Sequence, residues 1–214
     1  HSLKNILRNY QKDGFRWLKT MANYGFGGIL ADDMGIGKTL QVITLLEDEK
    51  LHDPQAISLV VCPSSLILNW QSEIAKFSDA LTSILITGNM EERKALIYKA
   101  KDYDVVITSY DYLKRDIEHY ENFHFTYQII DEAQYIKNHN TKNAVSVKQI
   151  QAAHRFALTG TPIENSLAEL WSIFDFLMPG YLYTYPYFKK QYEIPIVKEN
   201  DPITLKELKR MVEP

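Results

Sequence analysis

The sequence predicts an α/β fold in which helices cover both faces of an open, mostly parallel sheet. Three observations lead there: six short runs rich in Val, Ile, Leu or aromatic residues, stretches of helical apolar spacing between them, and a small or polar residue closing each run. A chain of 214 residues with 45% apolar composition fits one ordinary domain, long enough to bury about 70% of its extended surface. Disorder, collagen and coiled coil are excluded by the same figures. Lys and Arg number 24 against 27 Asp and Glu, a formal charge of -3, which argues against gripping nucleic acid by bulk charge and leaves only a local groove for that purpose. The one cysteine, Cys62, cannot form an internal disulfide. No apolar stretch reaches the roughly 18 residues a bilayer span needs, and no export signal is visible. A reducing aqueous compartment, with no membrane partner, is the expectation.

In chain order, the expected strands are Gly28–Ala31, Ile57–Cys62, Ser83–Ile86, Asp104–Thr108, Tyr127–Asp131 and Arg155–Leu158. Gly27 and Gly28 read as a turn into the first, and a helix is expected to open at Lys38. Ser64 or Ser65 is placed to cap a helix whose apolar face carries Leu66, Leu68, Trp70 and Ile74; Glu91–Lys101 and Thr141–Ile150 show similar caps and spacing. Leu167–Leu177 has Leu170, Trp171, Phe174 and Leu177 at the three-and-four spacing of a buried face, and Pro179-Gly180 ends it. The composition then turns aromatic and proline-punctuated up to Pro195, with a short helix expected over Thr204–Met211. This divides the chain into a lobe at 1–180 and an aromatic and helical appendage at 181–214.

The strongest chemical signal runs from Gly28 to Thr39: a strand, a turn containing Gly35 and Gly37, then a helix beginning with Lys38-Thr39. Glycines there let backbone N–H groups turn inward around phosphate oxygens. The helix terminus adds its dipole, Lys38 reaches the terminal phosphates, and the Thr39 hydroxyl is offered to Mg²⁺. Asp32 departs from the strict pattern, which begins with Gly. A magnesium phosphate site also needs a carboxylate at a neighbouring strand end. Asp131-Glu132 supplies it, with Asp131 to hold the metal and Glu132 to orient and deprotonate an attacking water. The clusters Cys62-Pro-Ser64-Ser65, Thr108-Ser109 and Thr159-Gly160-Thr161 close other strands, so all five fall on one sheet edge, where ligands of open α/β sheets bind.

These residues resemble the first RecA-like lobe of helicase superfamily two, and specifically its Swi/Snf-like double-stranded-DNA translocases. The signposts are Leu7-Arg-Asn-Tyr-Gln11 with Gly14 and Trp17, Ala31 to Gln41, Val61 to Leu66 with Asn69-Trp70, Ile107-Thr-Ser-Tyr110, Asp131 to Gln134 with Ile136-Lys-Asn138, Ala157 to Asn165, and Glu169 to Gly180. The resemblance runs from about Leu7 to the end. It implies a RecA-like P-loop sandwich, ATP and Mg²⁺ as cofactors, Gln11 at the adenine edge, and Met34, Gly35, Ile36, Gly37, Lys38, Thr39 and Leu40 around the nucleotide. Gln134, where many relatives have His, is implied to couple nucleotide state to Thr159, Gly160 and Thr161. Ser64, Ser65, Thr108 and Ser109 lie in segments that meet the DNA backbone in relatives.

The resemblance further implies an ATP-hydrolysing motor on duplex DNA acting on protein–DNA complexes. The family continues beyond Pro214 into a second RecA-like lobe with an arginine finger, so the present segment is expected to hydrolyse ATP very slowly alone. The expected location is the nucleoid-associated cytoplasm in a prokaryote or the nucleus in a eukaryote, without secretion. A strand-separating superfamily-two helicase and a nucleotide-binding interaction module without turnover stay open as alternatives. A P-loop kinase or GTPase would need an acceptor lid or an Asn-Lys-x-Asp base reader, and neither is present. The histidines lack ligand spacing. Trp17, Trp70 and Trp171 read as core, and the run Tyr181 to Tyr192 reads as packing rather than base stacking.

Overall fold

A computed structural model describes residues 28–31, 36–159 and 166–212. Its centre is a six-stranded, wholly parallel sheet built from β1 (Gly28–Ala31), β2 (Ser58–Cys62), β3 (Ser83–Leu85), β4 (Val105–Ser109), β5 (Phe125–Ile130) and β6 (Ala152–Thr159). The spatial order is β1-β6-β5-β2-β4-β3. Parallel neighbours require crossovers, and α1 (Ile36–His52), α2 (Ile67–Phe77), α3 (Met90–Lys99), α4 (Tyr110–Asp116) and α5 (Lys142–Gln149) supply them. A sixth helix, α6 (Leu167–Leu177), follows the last strand.

Alternation along the strands sorts the core into two layers. Val60, Cys62, Val105, Ile107, Ile129, Phe156 and Leu158 face α1 and α2, meeting Val42, Ile43, Leu46, Ile67, Trp70 and Ile74. Leu59, Val61, Val106, Ile130 and Ala157 face the opposite layer, which α6 anchors through Leu170, Trp171, Phe174 and Leu177. Central strands β2 and β4 are buried at every position, so they read as continuous apolar runs, as strands covered on both faces do.

Four helix starts obey local chemistry. The side chains of Asn89, Ser109, Thr141 and Ser166 each accept the N–H three residues on, capping α3, α4, α5 and α6. Such a cap contributes about 1 kcal/mol. The expected cap at Ser64 or Ser65 is not formed: Ser64–Leu66 is a 3₁₀ turn, and α2 starts at Ile67 without a side-chain cap. Pro63 explains the displacement, since a proline with φ of -58° and extended ψ directs the chain into the tighter turn first. The first helix opens at Ile36, two residues before Lys38.

The segment after Gly180 is helical and joins the main core. It comprises α7 (Tyr185–Phe188), a π-turn at Lys189–Glu193, α8 (Ile194–Val197) and α9 (Pro202–Val212). Leu182, Phe188, Ile196, Leu208 and Val212 are all buried in the layer that holds Trp171 and Phe174. The tyrosines pack only in part: Tyr185 lies 5.3 Å from the Trp171 ring and Tyr181 stacks near Phe174, while Tyr181, Tyr183 and Tyr187 each keep a large exposed face. Trp171 is core, and its indole N–H donates to the Tyr183 carbonyl at 3.2 Å.

Candidate functional site

Because the six strands run one way, their carboxyl ends share an edge, and the register brings the predicted clusters together there. Ala31 pairs with Thr159, Ile130 with Val61 and Ala157, and Cys62 with Ser109. Lys38 stands in the first turn of α1 and is 6% exposed, and its charge acts on Asp131 at this edge. Thr39 is half-buried and Leu40 exposed; Ile36 and Gly37 form the start of the same helix. Gln11, Asp32, Met34, Gly35, Gly160 and Thr161 lie outside the described residues.

Asp131 prolongs β5 by one rung, its N–H donating to the Val61 carbonyl at 2.8 Å. Its carboxylate is gripped from two sides. Oδ2 accepts the Trp70 indole N–H at 2.9 Å and Oδ1 accepts the Glu132 N–H at 2.9 Å. The Tyr110 hydroxyl donates to the Asp131 carbonyl at 2.6 Å, its ring stacked on Tyr135. Burial raises the Asp131 carboxyl above the ordinary aspartate range; the Trp70 and Glu132 N–H groups oppose that, the Glu132 carboxylate adds to it, and the Lys38 ammonium opposes it. Each oxygen keeps a free lone pair. A half-buried carboxylate of this kind, with lone pairs left over and fixed in orientation by two N–H donors, fits Mg²⁺, a hard cation usually held by one or two carboxylates together with substrate phosphates.

Glu132 takes a left-handed backbone conformation, φ 54° and ψ 58°, which costs a residue with a Cβ about 1–2 kcal/mol. The bend lets the chain leave the strand sharply into the 3₁₀ turn Ala133–Ile136. Within that turn the Gln134 amide donates to Glu132 Oε2 at 2.5 Å, and its carbonyl oxygen accepts the Thr159 hydroxyl at 3.4 Å. A continuous polar chain thus joins the acid pair to the end of β6. From below, Ser172 of α6 donates to the Ile136 carbonyl at 2.6 Å, and Lys148 bridges Ser172 and Asp175.

The predicted nucleic-acid residues divide. Ser64 and Ser65 are exposed. Thr108 and Ser109 are fully buried, and the Ser109 hydroxyl accepts the Tyr112 N–H as the cap of α4. In this conformation neither hydroxyl is available to a backbone phosphate. Cys62 is also enclosed, and burial with the nearby Asp131 charge pushes its thiol up to about 12. The residue that sequence reasoning missed is Trp70, taken as core alone. It is core, but a buried indole still requires an acceptor, and that requirement was the available signal.

A parallel sheet in this order, with an acid pair at the tip of β5 beside a helix-borne lysine, is the architecture of a RecA-like lobe. The chain belongs to the SNF2-related domain family, whose profile matches residues 10–214. The Sulfolobus solfataricus SWI2/SNF2 ATPase core in complex with dsDNA superposes with a TM-score of 0.80 and 43% identity, covering 95% of this chain and 42% of that one. Human TATA-binding protein-associated factor 172 is 42% identical over 209 residues, 91% of this chain and 11% of the relative. A Mycoplasma genitalium protein named an uncharacterized ATP-dependent helicase, MG018, is 39% identical over 217 residues, 97% of this chain and 21% of its own length. The chain therefore spans a small part of the curated relatives it matches.

Proposed function

We propose that this chain is the ATP-binding lobe of a DNA-dependent ATPase that moves along duplex DNA and remodels protein–DNA complexes. The observation that carries the reading is the convergence of Lys38, Asp131 and the linked Glu132, Gln134 and Thr159 at one sheet edge. Membership of the SNF2-related domain family supports duplex DNA as the track. TATA-binding protein-associated factors among the relatives support protein–DNA complexes as the substrate.

In this reading Lys38 presents a fixed positive charge to phosphate oxygens, and Thr39 and Asp131 hold the metal. Glu132 orients the attacking water and accepts its proton at a carboxylate oxygen; Gln134 fixes that carboxylate and relays its position to Thr159. Magnesium ATP, when bound, supplies a transferable phosphoryl group whose charge the cation offsets. Gln11 reads the adenine edge, and the segments around Met34 to Gly37 and Gly160-Thr161 complete the nucleotide and coupling surfaces. DNA phosphates meet the exposed Ser64 and Ser65. The helices after Gly180 share the core of this lobe, which works together with a second RecA-like lobe. That lobe supplies an arginine to the transition state, and without it turnover is slow by about 10³–10⁵. The place of work is wherever the DNA is, nucleoid or nucleus.

The test is ATP hydrolysis by the full-length protein without DNA, with single-stranded DNA and with duplex DNA, beside Glu132→Gln. Duplex stimulation abolished by the substitution is the expected result. Preference for single strands would replace the translocase by a strand-separating helicase, and DNA-independent turnover would remove DNA as partner.

A further inference from the structure

We propose that Trp70 is a positioning residue for the Asp131 carboxylate, tying the magnesium site to α2. The inference rests on the ATPase reading above and adds to it a residue that touches neither nucleotide nor water. Trp70 is 2% exposed and its ring is packed among Ile67, Ile74 and the β2 and β4 side chains, so it has little freedom to move alone. Its one donor, the indole N–H, is spent on Asp131 Oδ2 at 2.9 Å. The other oxygen is fixed by the backbone of Glu132. Two donors from different elements determine both the tilt of the carboxylate plane and the lone pairs left for a cation. Outer partners that orient a metal-binding carboxylate in this way typically affect metal affinity by about 10–100-fold.

Trp70 also connects two surfaces. Leu68 and Asn69 are exposed on the same helix, one turn from the exposed Ser64 and Ser65, while Trp70 points inward to the acid. The tether is rigid at both ends. The helix is packed on the sheet through Ile67, Trp70 and Ile74, and Asp131 is locked to Val61 and Tyr110 through its backbone. A displacement of the α2 start therefore reaches the carboxylate through this hydrogen bond as well as through the core contacts of Ile67, Trp70 and Ile74.

The experiment compares the wild-type protein with Trp70→Phe, which keeps an aromatic ring and removes the donor, and with Ile74→Val, which loosens the same helix face without touching the hydrogen bond. A fluorescent ATP analogue is titrated with and without Mg²⁺, and the Mg²⁺ concentration for half-maximal tightening is read, together with the unfolding midpoint. The expected result is a rise of about tenfold in that concentration for Trp70→Phe, no change for Ile74→Val, and equal Mg²⁺-free nucleotide binding in all three. In the wild type the Trp70 indole ¹⁵N–¹H resonance, assigned by its loss in Trp70→Phe, shifts when Mg²⁺ is added to the nucleotide complex. A Trp70→Phe protein with wild-type Mg²⁺ dependence, or one whose change is matched by Ile74→Val, overturns the positioning role. Wild-type protein whose nucleotide binding ignores Mg²⁺ instead overturns the ATPase reading on which it rests.

Discussion

The Gln134 amide donates to Glu132 Oε2 at 2.5 Å. Glu132 is held in left-handed backbone, so its side-chain direction depends on this bond as much as on its own torsions. Replacing Gln134 by Met keeps length and volume and removes both the donor to Glu132 and the acceptor for Thr159. The expected outcome is a fall of about 10–100-fold in duplex-stimulated kcat with nucleotide affinity within about twofold, because the lost group orients the general base and does not touch the phosphates. Steady-state ATPase assays with an equilibrium binding control check this. A KM-dominated loss with unchanged kcat would place Gln134 on the nucleotide instead.

Sequence pattern captured what depends on neighbours in the chain and lost what depends on distant ones. Leu167–Leu177 is predicted to its limits because the spacing of Leu170, Trp171, Phe174 and Leu177 lies within it and Pro179-Gly180 follows directly. β5 and β6 begin earlier than their apolar runs, at Phe125 and Ala152, because parallel pairing with a neighbour extends strands through residues such as His154 that have no apolar signal. The acid pair and the lysine were legible as motif. Trp70 as a partner of Asp131, 61 residues away, was not, since one spacing of apolar residues serves a core tryptophan and a tethering one alike. Ser109 looked like a phosphate contact and is a helix cap; both uses require the same small hydroxyl.

Acid should weaken the fold through Asp104. Burial alone would raise this carboxyl, but the Lys50 ammonium at 2.8 Å and the Thr82 N–H and hydroxyl outweigh burial and hold it below its ordinary value. A carboxyl depressed in the folded state adds stability above its unfolded pKa of about 3.9 and loses it as pH falls through the lower folded value. Lys50 also donates to the Ala80 carbonyl, so the cluster fastens the end of α1 to the entries of β3 and β4. Asp104→Asn is expected to cost about 1 kcal/mol at pH 7, a figure kept small because Lys50 is one-third exposed. Urea unfolding at pH 7 and pH 3 is the check. The gap between variant and wild type should narrow on acidification; a gap that stays constant would remove the charge from the explanation.

Arg93 and Asp116 form a two-pronged pair, Nε to Oδ2 at 2.8 Å and the second nitrogen to Oδ1 at 3.0 Å, with 6% and 2% of their side chains exposed. A third donor reaches the Gly88 carbonyl, and the guanidinium lies over Tyr112. Removing one partner strands the other charge in a dry site, so Arg93→Met is expected to destabilise by about 3–5 kcal/mol. Arg93→Met with Asp116→Leu should recover a substantial part of that loss, because desolvation of both charges is relieved together. Denaturant curves for the two singles and the double give the coupling directly. Additive losses would show that packing of the α3 and α4 side chains, not the charge pair, sets the cost.

Truncation after Gly180 separates two descriptions of the C-terminal segment. As an appendage it could be removed without harm to the lobe. Yet Leu182, Phe188, Ile196, Leu208 and Val212 are buried in one layer with Leu170, Trp171 and Phe174. The Tyr181 hydroxyl donates to the Met211 carbonyl, and Trp171 donates to Tyr183. Each large apolar side chain returned to water costs about 1.5–3 kcal/mol, so uncovering Trp171 and its neighbours would consume much of a domain's total of about 5–15 kcal/mol. The release of ordering entropy offsets the segment's own contacts but not the exposure of α6. The truncated protein is therefore expected to bind a hydrophobic dye strongly and to unfold at markedly lower denaturant. The effect would reach the acid pair, since α6 holds the Ile136 carbonyl through Ser172. A truncated lobe with unchanged midpoint and no dye binding would establish residues 181–214 as a separable arm, outside the cooperative unit that holds the sheet and α1 to α6.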